Sequence, residues 1–137
     1  MSYATRLMAG IILITVSTIQ YGGYFLLTSL MKTGSGYMEN PLRQNFFRAG
    51  HAHAGVIVLL SLICQILVDA ASLPLWLQWF ARIAVPLAAI LISAGFFVSM
   101  PSPTASKPNA AVSIVYVGAV LIAAGVLTLG VGLLRSL

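Results

Sequence analysis

Apolar residues fall in four long runs, at about 7–31, 46–69, 75–99 and 111–134, and polar, glycine and proline residues collect between them. A run of roughly 20 apolar residues is long enough to cross a bilayer as a helix, so the pattern predicts four membrane-spanning helices. The first break holds Thr33, Gly34, Ser35 and Gly36, then Glu39, Asn40 and Pro41. The third runs from Pro101 through Pro103, Lys107 and Pro108 to Asn109. Turn formers of this kind end helices. The second break, from Asp69 to Pro74, is short, which predicts an antiparallel hairpin of spans two and three. The first run is longer than a signal-peptide core and has no convincing cleavage site, so it is read as a span. Trp76 and Trp79 open span three as an interfacial aromatic belt, and Pro86 within it is expected to kink the helix. The predicted fold is all-α: a single integral membrane four-helix bundle over residues 1–137.

Composition agrees. Of 137 residues, 60% are hydrophobic and 7% charged. That excludes an ordinary soluble domain, with about a quarter charged residues, and a disordered chain. Seven basic residues against two acidic ones give a net charge of +5. They do not point to nucleic acid, because Arg6, Lys32, Arg43, Arg48, Arg82, Lys107 and Arg135 are scattered at the ends of apolar runs. The reading is that they anchor helices at lipid headgroups. Arg6, Arg82 and Arg135 fall on one side and the other four on the opposite side, so the balance sets no orientation. Cys64 is alone, which excludes an intrachain disulfide. In span four, Ala111, Gly118, Gly125 and Gly132 recur every seven residues. Small residues on one face let another backbone approach, and the seam is expected to serve oligomerisation.

Candidate chemistry concentrates at the start of span two, from Asn45 to Gly55, which holds both histidines, His51 and His53. Ionisable residues inside a membrane are costly and mark function. Residues two apart on a helix point about 200° from one another, so the pair cannot grip one small ion. The lack of a third histidine, with Cys64 about three turns away, argues against a dedicated tetrahedral zinc site. A single axial nitrogen is what a haem iron needs. Ala49, Gly50, Ala52, Ala54 and Gly55 leave a bare surface for a flat macrocycle, and Arg43 and Arg48 are placed to meet its propionates. No Cys-x-x-Cys-His is present, so such a haem is held non-covalently. Gln20, Tyr21 and Tyr24 in span one are candidates to bridge to another helix or hydrogen-bond a ligand, and Ser93, Ser99 and Tyr116 are ambiguous. A proton or metal-ion relay through His51 and His53 is a weaker reading, because Glu39 lies in a loop and Asp69 at the end of a span.

The stretch Arg48 to Gly55, ending Ala52, His53, Ala54, Gly55, resembles the Arg-Ala-His-Ser-Gly signature of the styrene oxide isomerases, small four-span membrane proteins. Gly95, Phe96 and Phe97 with Pro101, Ser102, Pro103 and Asn109 are similar to that family's Gly-Phe-Tyr and following Ser-Pro-Asn stretch. Span order, Gly22–Gly23, the Gly36–Tyr37 turn and the small-residue fourth span extend the likeness over nearly the whole chain. The resemblance implies a homotrimer in a bilayer, with the bacterial inner membrane as the expected location. It further implies a haem b at each subunit interface, with ferric iron on His53 and His51 as the second candidate. The implied activity is Lewis-acid opening of a small apolar epoxide to a carbonyl compound, without net redox change. By ungapped counting, the family's pocket asparagine, aspartate and tyrosine fall on Leu59, Ala89 and Phe97, and its motif arginine falls on His51. The alternative is a non-enzymatic haem protein for gas sensing, haem handling or electron transfer.

Overall fold

The computed structural model describes residues 1–34 and 36–137; Ser35, in the first predicted break, lies outside the described residues. Four helices follow in chain order: α1 (Tyr3–Met31), α2 (Pro41–Val68), α3 (Leu75–Val98) and α4 (Ser113–Leu134), the last entered through a 3-10 turn at Ala110–Val112. There is no strand among the described residues. Each helix is long and apolar enough to cross a bilayer, with the 3-10 turn extending the fourth.

Capping sets the helix starts, which lie outside the apolar runs at two places. Ser2 accepts the Thr5 N–H and starts α1. Asn40 accepts the Arg43 N–H, with Pro41 in the first turn, so α2 begins five residues before the expected apolar start at 46. At 29 residues, α1 spans about 43 Å at 1.5 Å per residue, more than a hydrocarbon core of about 30 Å.

The α2–α3 hairpin is the centre of the molecule. Helix α3 packs along both α2 and α4, whereas α1 rests almost entirely on α2. The main apolar core runs between these helices through Ile57, Cys64, Val85, Ile92 and Leu129. A second cluster, Leu26, Tyr37, Phe47 and Met100, lies at the end carrying the two longer loops. There Asn40 donates to the carbonyls of Pro103 and Ala105, and Arg43 to those of Met100 and Pro101. Gly36 at φ 68° completes this junction; a Cβ there would lie 2.8 Å from Pro103 Cβ.

The three glycines of the α4 seam pack within the chain. Gly118, Gly125 and Gly132 are buried within the chain, against Ile92, against Ala84 and Val85, and against Leu73. The seven-residue period correctly gave one close-packed face, but its partner is the chain's own α3 and the loop before it. A Cβ on Gly118 would lie 2.6 Å from Ile92 Cγ1 and 3.1 Å from the Ile92 backbone nitrogen. Gly118→Ala is therefore expected to destabilise the bundle by about 1–3 kcal/mol. Gly130→Ala, whose added methyl meets open space, is expected to change it little. Thermal unfolding in detergent checks the pair, and equal midpoints would contradict the packing.

Helix α3 continues through Pro86. Proline removes the N–H that the Arg82 carbonyl would accept. Gln65 Nε2 of α2 replaces it, donating to that carbonyl at 2.9 Å.

Candidate functional site

Helix α2 carries its histidines about 10–12 residues past its start, roughly 15–18 Å along the axis. They face different surroundings, as the helical period requires. His51 turns toward α1 and lies on the Gly22–Gly23 backbone: a Cβ on Gly23 would be 3.3 Å from His51 Cε1, and one on Gly22 3.4 Å from His51 Nδ1. The glycine pair makes room for this ring. His53 is exposed, with its ring centroid 5.3 Å from that of Phe96. Its Nδ1 lies 2.7 Å from the Ala49 carbonyl oxygen. That oxygen can only accept, so Nδ1 is the donor in this contact. Among the described residues there is no cluster of three His, Cys, Asp or Glu side chains able to hold a metal ion.

The other candidate residues are distributed. Arg48 is exposed and donates to Gln44 Oε1 at 3.3 Å. Arg43 is committed to the loop carbonyls and lies over the Phe47 ring at 4.7 Å. Gly50 is buried beneath Phe96 and Phe97; a Cβ there would come within 3.0 Å of Phe97 Cε2. It serves α2–α3 packing, so no macrocycle can lie on it. Ala54 faces a groove between α1 and α3, and Ala89 lines the same groove. Leu59 is exposed, whereas Phe97 packs on Phe47 with centroids 4.9 Å apart. Leu59, Ala89 and Phe97 thus do not converge on one pocket. Gln20, Tyr21 and Tyr24 are all exposed on α1, as is Tyr116 on α4.

One polar centre lies outside the sequence reading. Arg82 is not a headgroup anchor: it is 2% exposed and bridges three helices. Its guanidinium donates to Asp69 Oδ1 at 2.6 Å, to Thr5 Oγ1 at 2.8 Å and to the Gln65 carbonyl at 3.1 Å. Asp69 also accepts from the Ser2 backbone N–H and hydroxyl, both at 2.7 Å. The Ser2 backbone N–H and the Thr5 hydroxyl, aided by the Ser2 hydroxyl and Arg82, hold the Asp69 carboxyl well below the usual carboxylate range. The signal was present in the sequence: Arg82 stands seven residues inside α3, about 10 Å deep, too far to be a terminal anchor.

Comparison with protein-family models, curated proteins and solved structures finds no match to this chain.

Proposed function

We propose that this chain is a membrane-embedded b-type haem protein with His53 as the axial iron ligand. The observation that carries the reading is the His53 side chain. A lipid-facing imidazole is costly on a spanning helix unless something occupies it. This one has its Nδ1 proton engaged by the Ala49 carbonyl, the arrangement that orients a metal-binding histidine and presents Nε2 as donor. Phe96 supports the ring from α3. Exposed Ala52 and the open space beside Gly55 leave low relief on the outer face of α2. Arg48 remains the cation for a propionate, because Arg43 is occupied by the loop carbonyls. A homotrimer in which a neighbouring subunit covers this face agrees with the resemblance to styrene oxide isomerases. It would also bury Gln20, Tyr21 and Tyr24.

Ferric haem held there by His53 would supply a Lewis acid. What the chain contributes is the His53 nitrogen and the Phe96 wall. One observation favours the non-enzymatic haem protein as the second reading. Leu59, Ala89 and Phe97, the positions of the family's polar pocket residues, carry no polar group and point to three separate places.

An optical spectrum of protein purified in mild detergent and supplied with haem tests both. We expect a Soret band from one bound haem per chain. A ferric spectrum of an open or water-bound iron that shifts on adding styrene oxide supports the isomerase, and a low-spin bis-histidine spectrum supports the second reading. Failure to take up haem overturns the proposal.

A further inference from the structure

At 29 residues α1 outruns the hydrocarbon core, so its last turn stands at the level of the lipid headgroups. Beside that turn lies a cavity of about 320 Å³, bordered by Tyr37 and the first turn of α2. Lys32 and Arg43 reach it from the two helices, next to Phe25, Thr28 and Ser29. The ends of α1 and α2 that border it carry opposite dipoles, so the side chains set its sign.

That sign is positive and uncompensated. Among the described residues the only ion pair is Arg82–Asp69, and Glu39, the one acid at this end, pairs with neither cation. With Arg82 neutralised by Asp69, the opposite end keeps Arg6 and Arg135 as free basic side chains, whereas this end carries Lys32, Arg43, Arg48 and Lys107. Lys32 is exposed, and its ammonium has no partner among the described residues. Arg43 is held over the Phe47 ring, where Nε and Nη2 donate to the carbonyls of Met100 and Pro101. These bonds fix the guanidinium and use two of its five N–H groups, so both N–H groups of Nη1 stay without a partner among the described residues. Thr28 and Ser29 turn their hydroxyl protons to the Phe25 carbonyl, which leaves the two cations as the donors a ligand meets.

An ammonium and a guanidinium from different helices, with no carboxylate between them, suit an anion that offers more than one oxygen. A basic pocket between spanning helices at headgroup depth meets such an anion in a lipid phosphate. The surface below it suits a lipid too. Phe25 is 39% exposed, and Tyr21, one turn deeper on the same face, is 71% exposed. This aromatic track runs from the cavity toward the bilayer centre, where acyl chains can follow it and a soluble anion has no use for it. A zwitterionic headgroup would bring its own ammonium against Lys32, so the fit is to a headgroup with net negative charge.

We propose that the cavity between the end of α1 and the start of α2 binds the phosphodiester of an anionic phospholipid, of phosphatidylglycerol type, through Lys32 and Arg43. Arg43 stands about 15 Å along α2 from His53, and the site does not depend on haem.

Native mass spectrometry of the full-length protein, titrated in detergent with phosphatidylglycerol or with phosphatidylcholine of the same chains, tests this. Phosphatidylglycerol is expected to bind about five- to tenfold more tightly, the attraction of one to two cations near an anionic headgroup. Lys32→Ala is expected to remove most of that preference and Lys32→Arg to keep it. The variants are made at Lys32 because Arg43 also holds the loop junction. Lys107→Ala at the same end and Arg6→Ala at the other should bind like the wild type. An equal loss in Lys107→Ala would mean diffuse attraction to the whole end and would overturn the site, as would equal binding of the two lipids by the wild-type protein. An excess of inorganic phosphate should leave the lipid bound; displacement would make soluble phosphate the ligand and overturn the lipid assignment. His53→Ala should leave the preference intact, so this proposal and the haem proposal fail separately.

Discussion

Arg82→Ala is expected to lower the stability of the bundle by about 2–3 kcal/mol, below the ~3–5 kcal/mol for a fully buried pair because the Asp69 side chain is 23% exposed. Four groups lose one donor together, although Asp69 keeps Ser2 and Thr5 and the Gln65 carbonyl keeps Thr5. Asp69 keeps its charge, and Thr5 Oγ1, the Gln65 carbonyl and Gln65 Oε1 lose a donor. The loss falls where the fold is weakest. Helix α1 rests almost entirely on α2, and the Ser2–Thr5–Asp69–Arg82 network fixes its first turn to the ends of α2 and α3. Detachment of α1 should therefore precede loss of the α2–α3–α4 core. Replacing both members of the pair, Arg82→Met with Asp69→Asn, is expected to recover part of the loss because no uncompensated charge remains. Gln65→Ala is expected to cost about 1–3 kcal/mol, since the Arg82 carbonyl freed by Pro86 loses its replacement donor. Unfolding in mixed micelles, read by protease cleavage within α1 and by helix content, measures both steps. An Arg82→Ala protein as stable as wild type would show that the network does not hold α1.

The same residues mark how far the sequence alone could be read. Hydropathy located all four helices, because a spanning helix must be apolar over a length that the bilayer dictates. It missed the first turn of α2, where Asn40 capping and Pro41 extend the helix into polar residues. Periodicity gave the buried face of α4 but not its partner: a repeat of seven shows which residues align, and nothing in it separates the chain's own α3 from a second copy. Arg82 was misplaced for a similar reason. Its partners Thr5, Gln65 and Asp69 lie 77, 17 and 13 residues away, and only the fold brings them together. At the histidines the sequence did better, since 100° per residue fixes opposite directions for positions 51 and 53. It could not show that Gly22 and Gly23 receive one ring while Ala49 orients the other. The groove was illegible too, being built from three helices that each contribute ordinary apolar residues.

His53→Ala is expected to reduce the Soret absorbance of haem-reconstituted protein to background, while His51→Ala keeps most of it. The difference follows from the direction and surroundings of the two rings. His53 presents Nε2 at the surface, with Nδ1 already satisfied by a bond that costs the helix nothing further. His51 is wedged against the α1 backbone at 3.3–3.4 Å from where Gly22 and Gly23 side chains would begin, and turning it outward would separate α1 from α2. His51→Ala should therefore show itself in the α1–α2 contact, as a modest loss of stability, before it shows in haem content. Free imidazole added to His53→Ala should restore a Soret band if the missing nitrogen is the only defect, because the small side chain leaves space where the ring stood. A protein that had merely unfolded would not respond. Gly23→Leu gives the complementary check: its side chain would displace His51 without touching His53, so haem binding should persist. Loss of the pigment in His51→Ala with retention in His53→Ala would transfer the ligand to the inner histidine. Its iron would then have to lie between α1 and α2, where this fold leaves only two glycines' worth of room.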